Sequence, residues 1–358
     1  MPNRLPVVDS FRHSEFSSTS DAGKRVVFQR SVALTPFNTF GIEVRATYFS
    51  EVTAAAQLPQ LAGRLPALPL LILGGGSNLL FTRDHPGTVL LNRITGMEVV
   101  TEDEGHITLR CGAGETWDGV AARAAAEGWW GPENLSLIPG TVGGAAVQNI
   151  GAYGAELAPL VVSVEGIHLD SGREETLPRH ACRFGYRTSL FKSPAYRNFF
   201  ITGVTFLFSK KGKPNLDYPA LRECFAAPPA TPQEVREAVI TLRRSKLPDP
   251  TRTGNAGSFF KNPVIDESQL RQLRRRHPTL PAHPAGEGQW KIPAAWLIEQ
   301  CGWKGKRRGD AATWPRQPLV LVNHGTATGQ DIDNLGKEIA ASVKKRFDIS
   351  LEREVITL

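Results

Sequence analysis

Two glycine-rich segments and a few polar residues outside them are where this sequence could hold a ligand or do chemistry. The first, residues 70–80, is an apolar run entering Gly74, Gly75 and Gly76, followed by Ser77, Asn78 and Leu79. Glycine permits positive φ and close backbone approach, so successive N–H groups can form a concave nest for phosphate; a plain tight turn has the same composition. Leu79 stands where GxGxxG needs its last glycine and no Walker pattern is present, which excludes an NAD-type Rossmann site and a P-loop. The second segment, residues 138–154, is dense in small residues and includes Pro139, Gly140, Val142, Gly143, Gly144, Ala145, Asn149, Gly151, Ala152 and Tyr153. Each glycine costs chain entropy and adds nothing to a core, so two such segments point to a pyrophosphate-bearing cofactor.

Ser258 stands between Gly257 and the pair Phe259-Phe260. No GxSxG elbow or HExxH pattern accompanies it, so a hydrolase nucleophile is disfavoured; the hydroxyl either donates a proton or serves a turn. Arg187, in Arg-Phe-Gly-Tyr-Arg-Thr-Ser, and Glu354, in Leu-Glu-Arg-Glu-Val, are charged residues whose ordinary use is an exposed ion pair. Arg243 and Lys246 share a helix face, where they either hold a diphosphate or are solvated. Cys111, Cys182, Cys224 and Cys301 show no metal-ligand spacing, which argues against zinc and a disulfide framework and predicts buried thiols.

Positioning these residues falls to mixed strands and helices. Apolar runs predict strands at residues 26–28, 70–73, 89–91, 107–111, 160–169 and 199–208. Trp117, Val120, Ala121 and Ala124 recur at helical spacing over 116–127, and Gly128 can close that helix. A capping box with proline at the first helical position, Thr231-Pro232-Gln233-Glu234, opens a helix that ends at Lys246. Leu247-Pro248-Asp249-Pro250 then reads as a domain boundary, because proline cannot continue a helix. Further helices are predicted at 293–301 and at 328–347, the latter with an apolar stripe of Ile332, Leu335, Ile339, Val343 and Phe347. Without a regular βαβ repeat, the pattern predicts an α+β fold.

At 358 residues the chain exceeds what one core usually organises and calls for two or three domains. With 41% hydrophobic and 22% charged residues it is ordinary globular sequence, neither disordered nor fibrous. No run approaches the roughly 18 apolar residues of a membrane span. Residues 1–25 lack the apolar core of a secretory signal and read as a flexible extension, so a cytoplasmic protein is expected. The net charge of +7 is dispersed over clusters at 271–276 and 304–308 without interleaved aromatics. Solvated surface is favoured there over a nucleic-acid partner, and a diffuse basic field also suits an anionic small substrate.

Taken in order, Ile-Leu-Gly-Gly-Gly-Ser-Asn, Ile-Pro-Gly through Gln-Asn-Ile-Gly-Ala-Tyr-Gly, Cys-Arg-Phe-Gly-Tyr-Arg, Lys-Leu-Pro-Asp-Pro, Gly-Ser-Phe-Phe-Lys-Asn-Pro and Glu-Val resemble the UDP-N-acetylenolpyruvoylglucosamine reductase family, from about Pro36 to Val355. The resemblance implies an FAD-binding fold of the vanillyl-alcohol-oxidase type in two parts, residues 26–96 and 97–247. A smaller α+β substrate domain follows at 248–348, and a C-terminal strand at 349–358 returns to the active site. It implies noncovalent FAD, NADPH as hydride donor, and a UDP-amino-sugar whose enolpyruvyl ether is reduced in peptidoglycan precursor synthesis. A monomer with no membrane or nucleic-acid partner is expected.

Carried over residue by residue, the resemblance makes Ser258 the proton donor, with Arg187 and Glu354 its partners at the reacting carboxylate. Tyr218, Arg243, Lys246, Asn262 and Gln317 match substrate-binding positions, and the two glycine-rich segments match the cofactor site. The loop bearing Tyr218 resembles the family's first subtype, in which it folds over the bound nucleotide. Ala145 stands where relatives can carry a cofactor-facing serine, and no Arg follows Glu354-Val355. Two alternatives stand beside this: another FAD oxidoreductase acting on a hydroxy acid or sugar, and a non-catalytic nucleotide- or nucleic-acid-binding protein. Flavin colour separates the second, and turnover of the UDP-sugar the first.

Overall fold

The computed structural model describes residues 26–358, so the extension expected at 1–25 lies outside the described residues. The first part comprises β1 (Gln29–Ala33), β2 (Arg45–Val52), β3 (Leu70–Leu73), β4 (Leu79–Leu80) and β5 (His85–Asn92). Its four-stranded sheet has the order β1-β2-β5-β3, with β5 parallel to both neighbours. Parallel strands covered on both faces read as continuous apolar runs, and the Val89-Leu90-Leu91 stretch of β5 is buried throughout. The strand expected at 26–28 begins at Gln29 instead. Pairing with β2 starts at the Gln29–Phe49 register, while Val26 and Phe28 spend their side chains on a neighbouring apolar cluster.

The second part holds β6 (Met97–Glu102), β7 (His106–Gly112), α1 (Trp117–Ala126), α2 (Val142–Gln148), β8 (Gly151–Ala152), β9 (Ala155–Glu156), β10 (Val161–His168), β11 (Glu174–Pro178), β12 (Phe199–Ser209), α3 (Pro219–Arg222) and α4 (Pro232–Lys246). Five strands form an antiparallel sheet, β11-β10-β12-β7-β6, and fully buried Trp117 of α1 meets Phe206 of β12 edge-on at 5.7 Å. Helix α2 was not expected from its glycines. A Cβ on Gly143 would stand 3.1 Å from the Ala113 Cβ, so the glycine is what lets this helix lie close to β7. Helix α4 has the expected capping box: the Thr231 hydroxyl accepts the Glu234 N–H at 3.3 Å, and the Glu234 carboxylate accepts the Thr231 N–H at 2.9 Å. Such a cap is worth about 1 kcal/mol.

The third part has β13 (Gly254–Ser258), β14 (Val264–Asp266), α5 (Glu267–Arg276), β15 (His283–Gly286), β16 (Gln289–Lys291), α6 (Ala294–Gln300), β17 (Arg307–Arg308), β18 (Ala311–Trp314), β19 (Gln317–Asn323), α7 (Gly329–Phe347) and β20 (Ile356–Thr357). The stripe predicted on α7 is buried at all its positions, from Ile332 to Phe347. One hydrophobic cluster joins Leu34, Phe49 and Leu91 of the first part to Phe259, Leu321 and Val343 of the third, so these two parts share a core although the second part separates them in sequence. Of the cysteines, Cys111 and Cys182 are buried as expected, but Cys301, at the C-terminal cap of α6, is half-buried and Cys224, just past the short helix α3, is exposed. No helix among the described residues is long and apolar enough to cross a membrane.

Candidate active site

A cavity of about 1110 Å³ is lined by residues of all three parts. Ordinary small-molecule sites run to about 300–1,000 Å³, so this one has room for a large dinucleotide with a substrate beside it.

Its first wall is the loop from Gly74 to Leu79. Gly76 takes φ +60°, and a Cβ on Gly75 would fall 2.9 Å from the Gly140 Cα, so the two glycine-rich segments interlock where only glycine fits. The Ser77 hydroxyl donates to the Pro139 carbonyl at 3.0 Å and fixes the contact. Among the described residues, the N–H groups of Gly74 to Asn78 find no acceptor within the protein. Contiguous unbonded N–H groups facing a cavity are donors for an anionic ligand. Helix α2 offers fewer: the Val142 and Gly143 N–H groups are already taken by the Glu115 and Ala113 carbonyls at 2.9 Å.

The opposite wall carries charge. Arg187 Nε lies 2.6 Å from Glu354 Oε1, and Arg187 Nη2 donates to the Gly151 carbonyl at 2.7 Å, which leaves Nη1 uncommitted among the described residues. Arg187 itself sits at φ +55°, a left-handed conformation costly for a residue with a Cβ. Burial pushes the Glu354 carboxyl above its ordinary range, against the opposing pull of Arg187. Ser258 ends β13, and its hydroxyl makes no hydrogen bond among the described residues. Its neighbours are laced to the C-terminal segment: the Glu354 N–H donates to the Phe259 carbonyl and the Lys261 N–H to the Glu352 carbonyl, both at 2.9 Å. Asn78 Nδ2 donates to the Glu354 carbonyl at 3.1 Å, tying the same segment to the glycine loop. Three residues remote in sequence, Arg187, Ser258 and Glu354, therefore line one cavity.

Further arginines enter from other directions. Arg197, Arg243, Arg244, Arg252 and Arg316 line the cavity, and none has a carboxylate within ion-pair distance among the described residues. Arg243 Nε donates to the Leu137 carbonyl at 3.1 Å. Unpaired guanidinium groups beside unbonded backbone N–H groups suit ligands with phosphates.

Several expected site residues stand outside this wall. Val142 is wholly buried in the core of the second part. Asn149 spends its amide on the Gly185 carbonyl at 2.9 Å and its oxygen on the Ala158 N–H at 3.0 Å. Ala152 ends β8 and Tyr153 follows it, with the Tyr153 ring 5.2 Å from that of Tyr218, which is 40% exposed. Lys246 is half-buried on α4, while its neighbours Arg243 and Arg244 face the cavity. Asn262 accepts the Ala294 N–H at 2.9 Å, and Gln317 pairs with Trp314 at the turn between β18 and β19. Conversely, Gln148, Arg244 and Arg316 line the cavity without having been singled out. Gln148 lay inside the quoted Gln-Asn-Ile-Gly string, the one local signal that marked it.

The cavity thus defines a nucleotide-cofactor enzyme, and comparison with known proteins agrees. Residues 53–176 match the family model described as FAD binding domain, and residues 249–358 match the C-terminal domain of UDP-N-acetylenolpyruvoylglucosamine reductase. Proteins named UDP-N-acetylenolpyruvoylglucosamine reductase from Chromobacterium violaceum and Bacteroides fragilis are 46% and 44% identical, over 92% and 91% of this chain and 99% of each relative. The solved reductase from Thermus caldophilus superposes with a TM-score of 0.63 at 26% identity, covering 93% of this chain and 99% of that one. This chain belongs to the UDP-N-acetylenolpyruvoylglucosamine reductase family, with the α+β architecture and FAD-binding domain that its motifs implied.

Proposed function

We propose that the protein is an FAD- and NADPH-dependent reductase that converts the enolpyruvyl ether of UDP-N-acetylglucosamine enolpyruvate into the lactyl ether of UDP-N-acetylmuramate, a step of peptidoglycan precursor synthesis. The observation that carries this is the convergence of Arg187, Ser258 and Glu354 on a cavity whose other wall is a loop of unbonded backbone N–H groups. The residues fit the cofactor: the interlocked glycine loops give N–H donors for a diphosphate, and among the described residues no histidine or cysteine lines the cavity to attach a flavin covalently.

When bound, the flavin supplies a hydride, drawn from NADPH, to the terminal alkene carbon of the substrate. Negative charge then gathers on the adjacent carbon and its carboxylate. Arg187, with Nη1 uncommitted and Nη2 fixed by Gly151, is placed to hold that carboxylate and stabilise its charge. Burial raises the Glu354 pKa while Arg187 opposes the shift; an ionised Glu354 would oppose the developing charge, so it contributes either as a neutral acid or by orienting Arg187 through their 2.6 Å contact. Ser258, whose hydroxyl makes no hydrogen bond among the described residues, gives its proton to the carbon. A strongly basic enolate tolerates a donor of high pKa. Arg243 and Arg244 face the cavity where a remote diphosphate would be held, and Lys246, Tyr218, Asn262 and Gln317 are assigned to contacts outside its present wall.

The test is direct. Mixing the purified protein with NADPH should bleach its flavin band, and adding UDP-N-acetylglucosamine enolpyruvate should restore it, with noncovalent FAD released into the supernatant by acid. A flavin that reduces but is never reoxidised by this sugar would reject the substrate assignment.

A further inference from the structure

Outside the residues assigned above, one side chain touches two of the cavity's walls. Lys192 follows β11 in a short helical turn, Leu190–Lys192, and is exposed as a whole, yet its ammonium points inward. Nζ donates to the Arg187 carbonyl at 2.8 Å and to Gln148 Oε1 at 2.5 Å. Gln148 ends α2 and lines the cavity; Arg187 lines it from the other side. Without that donor, nothing else among the described residues hydrogen-bonds the Arg187 carbonyl, and the left-handed backbone at φ +55° loses the bond that offsets its strain.

We propose that Lys192 is a positioning residue of this site, a cationic strut that fixes the Arg187 backbone and the Gln148 amide and adds positive charge behind the bound carboxylate. This rests on the function proposed above. The charged groups that face the ammonium are Arg187 and Lys261, which repel it, and Glu354 and Glu352, which attract it. Partial desolvation together with Lys261 lowers its pKa to about 8. Its charge is therefore present at neutral pH and lost as pH rises through about 8, whereas a neutral amine keeps the two hydrogen bonds.

The test uses the flavin-loaded enzyme with Lys192→Met and Lys192→Arg. Lys192→Met should keep its flavin and its reduction by NADPH, while kcat with the enolpyruvyl sugar falls at least about tenfold and KM moves less than about threefold, because the carboxylate contact strengthens as charge develops. Lys192→Arg, which restores charge and donors, should regain most of kcat. The fall in wild-type kcat above pH about 8 should be absent in Lys192→Met. Crystals of Lys192→Met should show Arg187 leaving the left-handed region or Gln148 swinging away from it. Wild-type kcat in Lys192→Met, an alkaline limb it retains, or Arg187 and Gln148 unmoved in its crystals would each overturn the proposal. If the wild-type enzyme fails to turn over the sugar, the functional assignment falls, and the crystals alone decide whether Lys192 is the strut. Should Lys192→Met not fold, Lys192→Leu, which likewise carries neither charge nor donor, is read by the same criteria.

Discussion

The glycine-loop wall of the cavity presents backbone N–H groups from consecutive residues, Gly74 to Asn78, held by contact with Gly140 and by the Ser77–Pro139 hydrogen bond. The reactive wall instead presents side chains from three separate stretches, at Arg187, Ser258 and Glu354, held by the ladder between residues 259–261 and 352–354. A backbone wall tolerates most side-chain changes but no added volume. A side-chain wall tolerates volume poorly and loss of one functional group worse. Substitutions on the two walls should therefore fail in different ways.

The largest effect is expected at Ser258. Ser258→Ala should still bind flavin and be reduced by NADPH at a near-normal rate, while reoxidation by the sugar slows by roughly 10²–10⁴, the range for a lost general acid. Stopped-flow absorbance at the flavin band separates the two half-reactions. A merely structural serine beside Phe259 would depress both together, and wild-type reoxidation would pass the donor role to water or Glu354.

On the other wall, Gly75→Val forces a Cβ to within 2.9 Å of the Gly140 Cα. Overpacking of this kind costs ~1–3 kcal/mol, so flavin affinity should drop by roughly a hundredfold at the upper end of that range while the fold survives. Flavin released by acid per mole of folded protein measures it; full stoichiometry would show that the two loops part freely.

The smallest effect divides one helix face. Arg243→Ala should raise the substrate KM by roughly tenfold, the lower end of the ~1.5–3 kcal/mol for a charge-assisted hydrogen bond, with kcat little changed. Lys246→Ala, whose side chain is not on the cavity wall, should change KM by less than about threefold. Equal effects on KM would mean that the cavity closes over Lys246 when substrate binds.

How much of this was legible depends on range. The capping box of α4 and the stripe of α7 lie within a few turns of their own sequence, and both helices begin and end where expected. Residues 26–28 failed because apolar composition reports packing, and these side chains pack without pairing. Helix α2 hid behind Gly143, whose purpose is the close approach of Ala113, a partner invisible along the local chain. Arg187 and Glu354 carry no local sign of each other; only the ordered motifs joined them. Lys192 lies five residues beyond Arg187 with no local signal to mark it, since the carbonyl it meets is presented only once Arg187 adopts φ +55°.

The C-terminal strand β20 lies parallel to β4, and the Thr82 hydroxyl donates to the Leu358 carbonyl at 2.7 Å. Asn78 and Glu354, which touch, are 276 residues apart in the chain. At about 5–20 residues per second, synthesis takes roughly 14–55 s to deliver the second partner after the first. For that whole interval β4 is an unpaired edge and the glycine loop lacks one of its supports. The nascent polypeptide cannot complete this wall of its cavity until residues 354–358 have been made, so a ligand that needs that wall is captured late in the making of this enzyme.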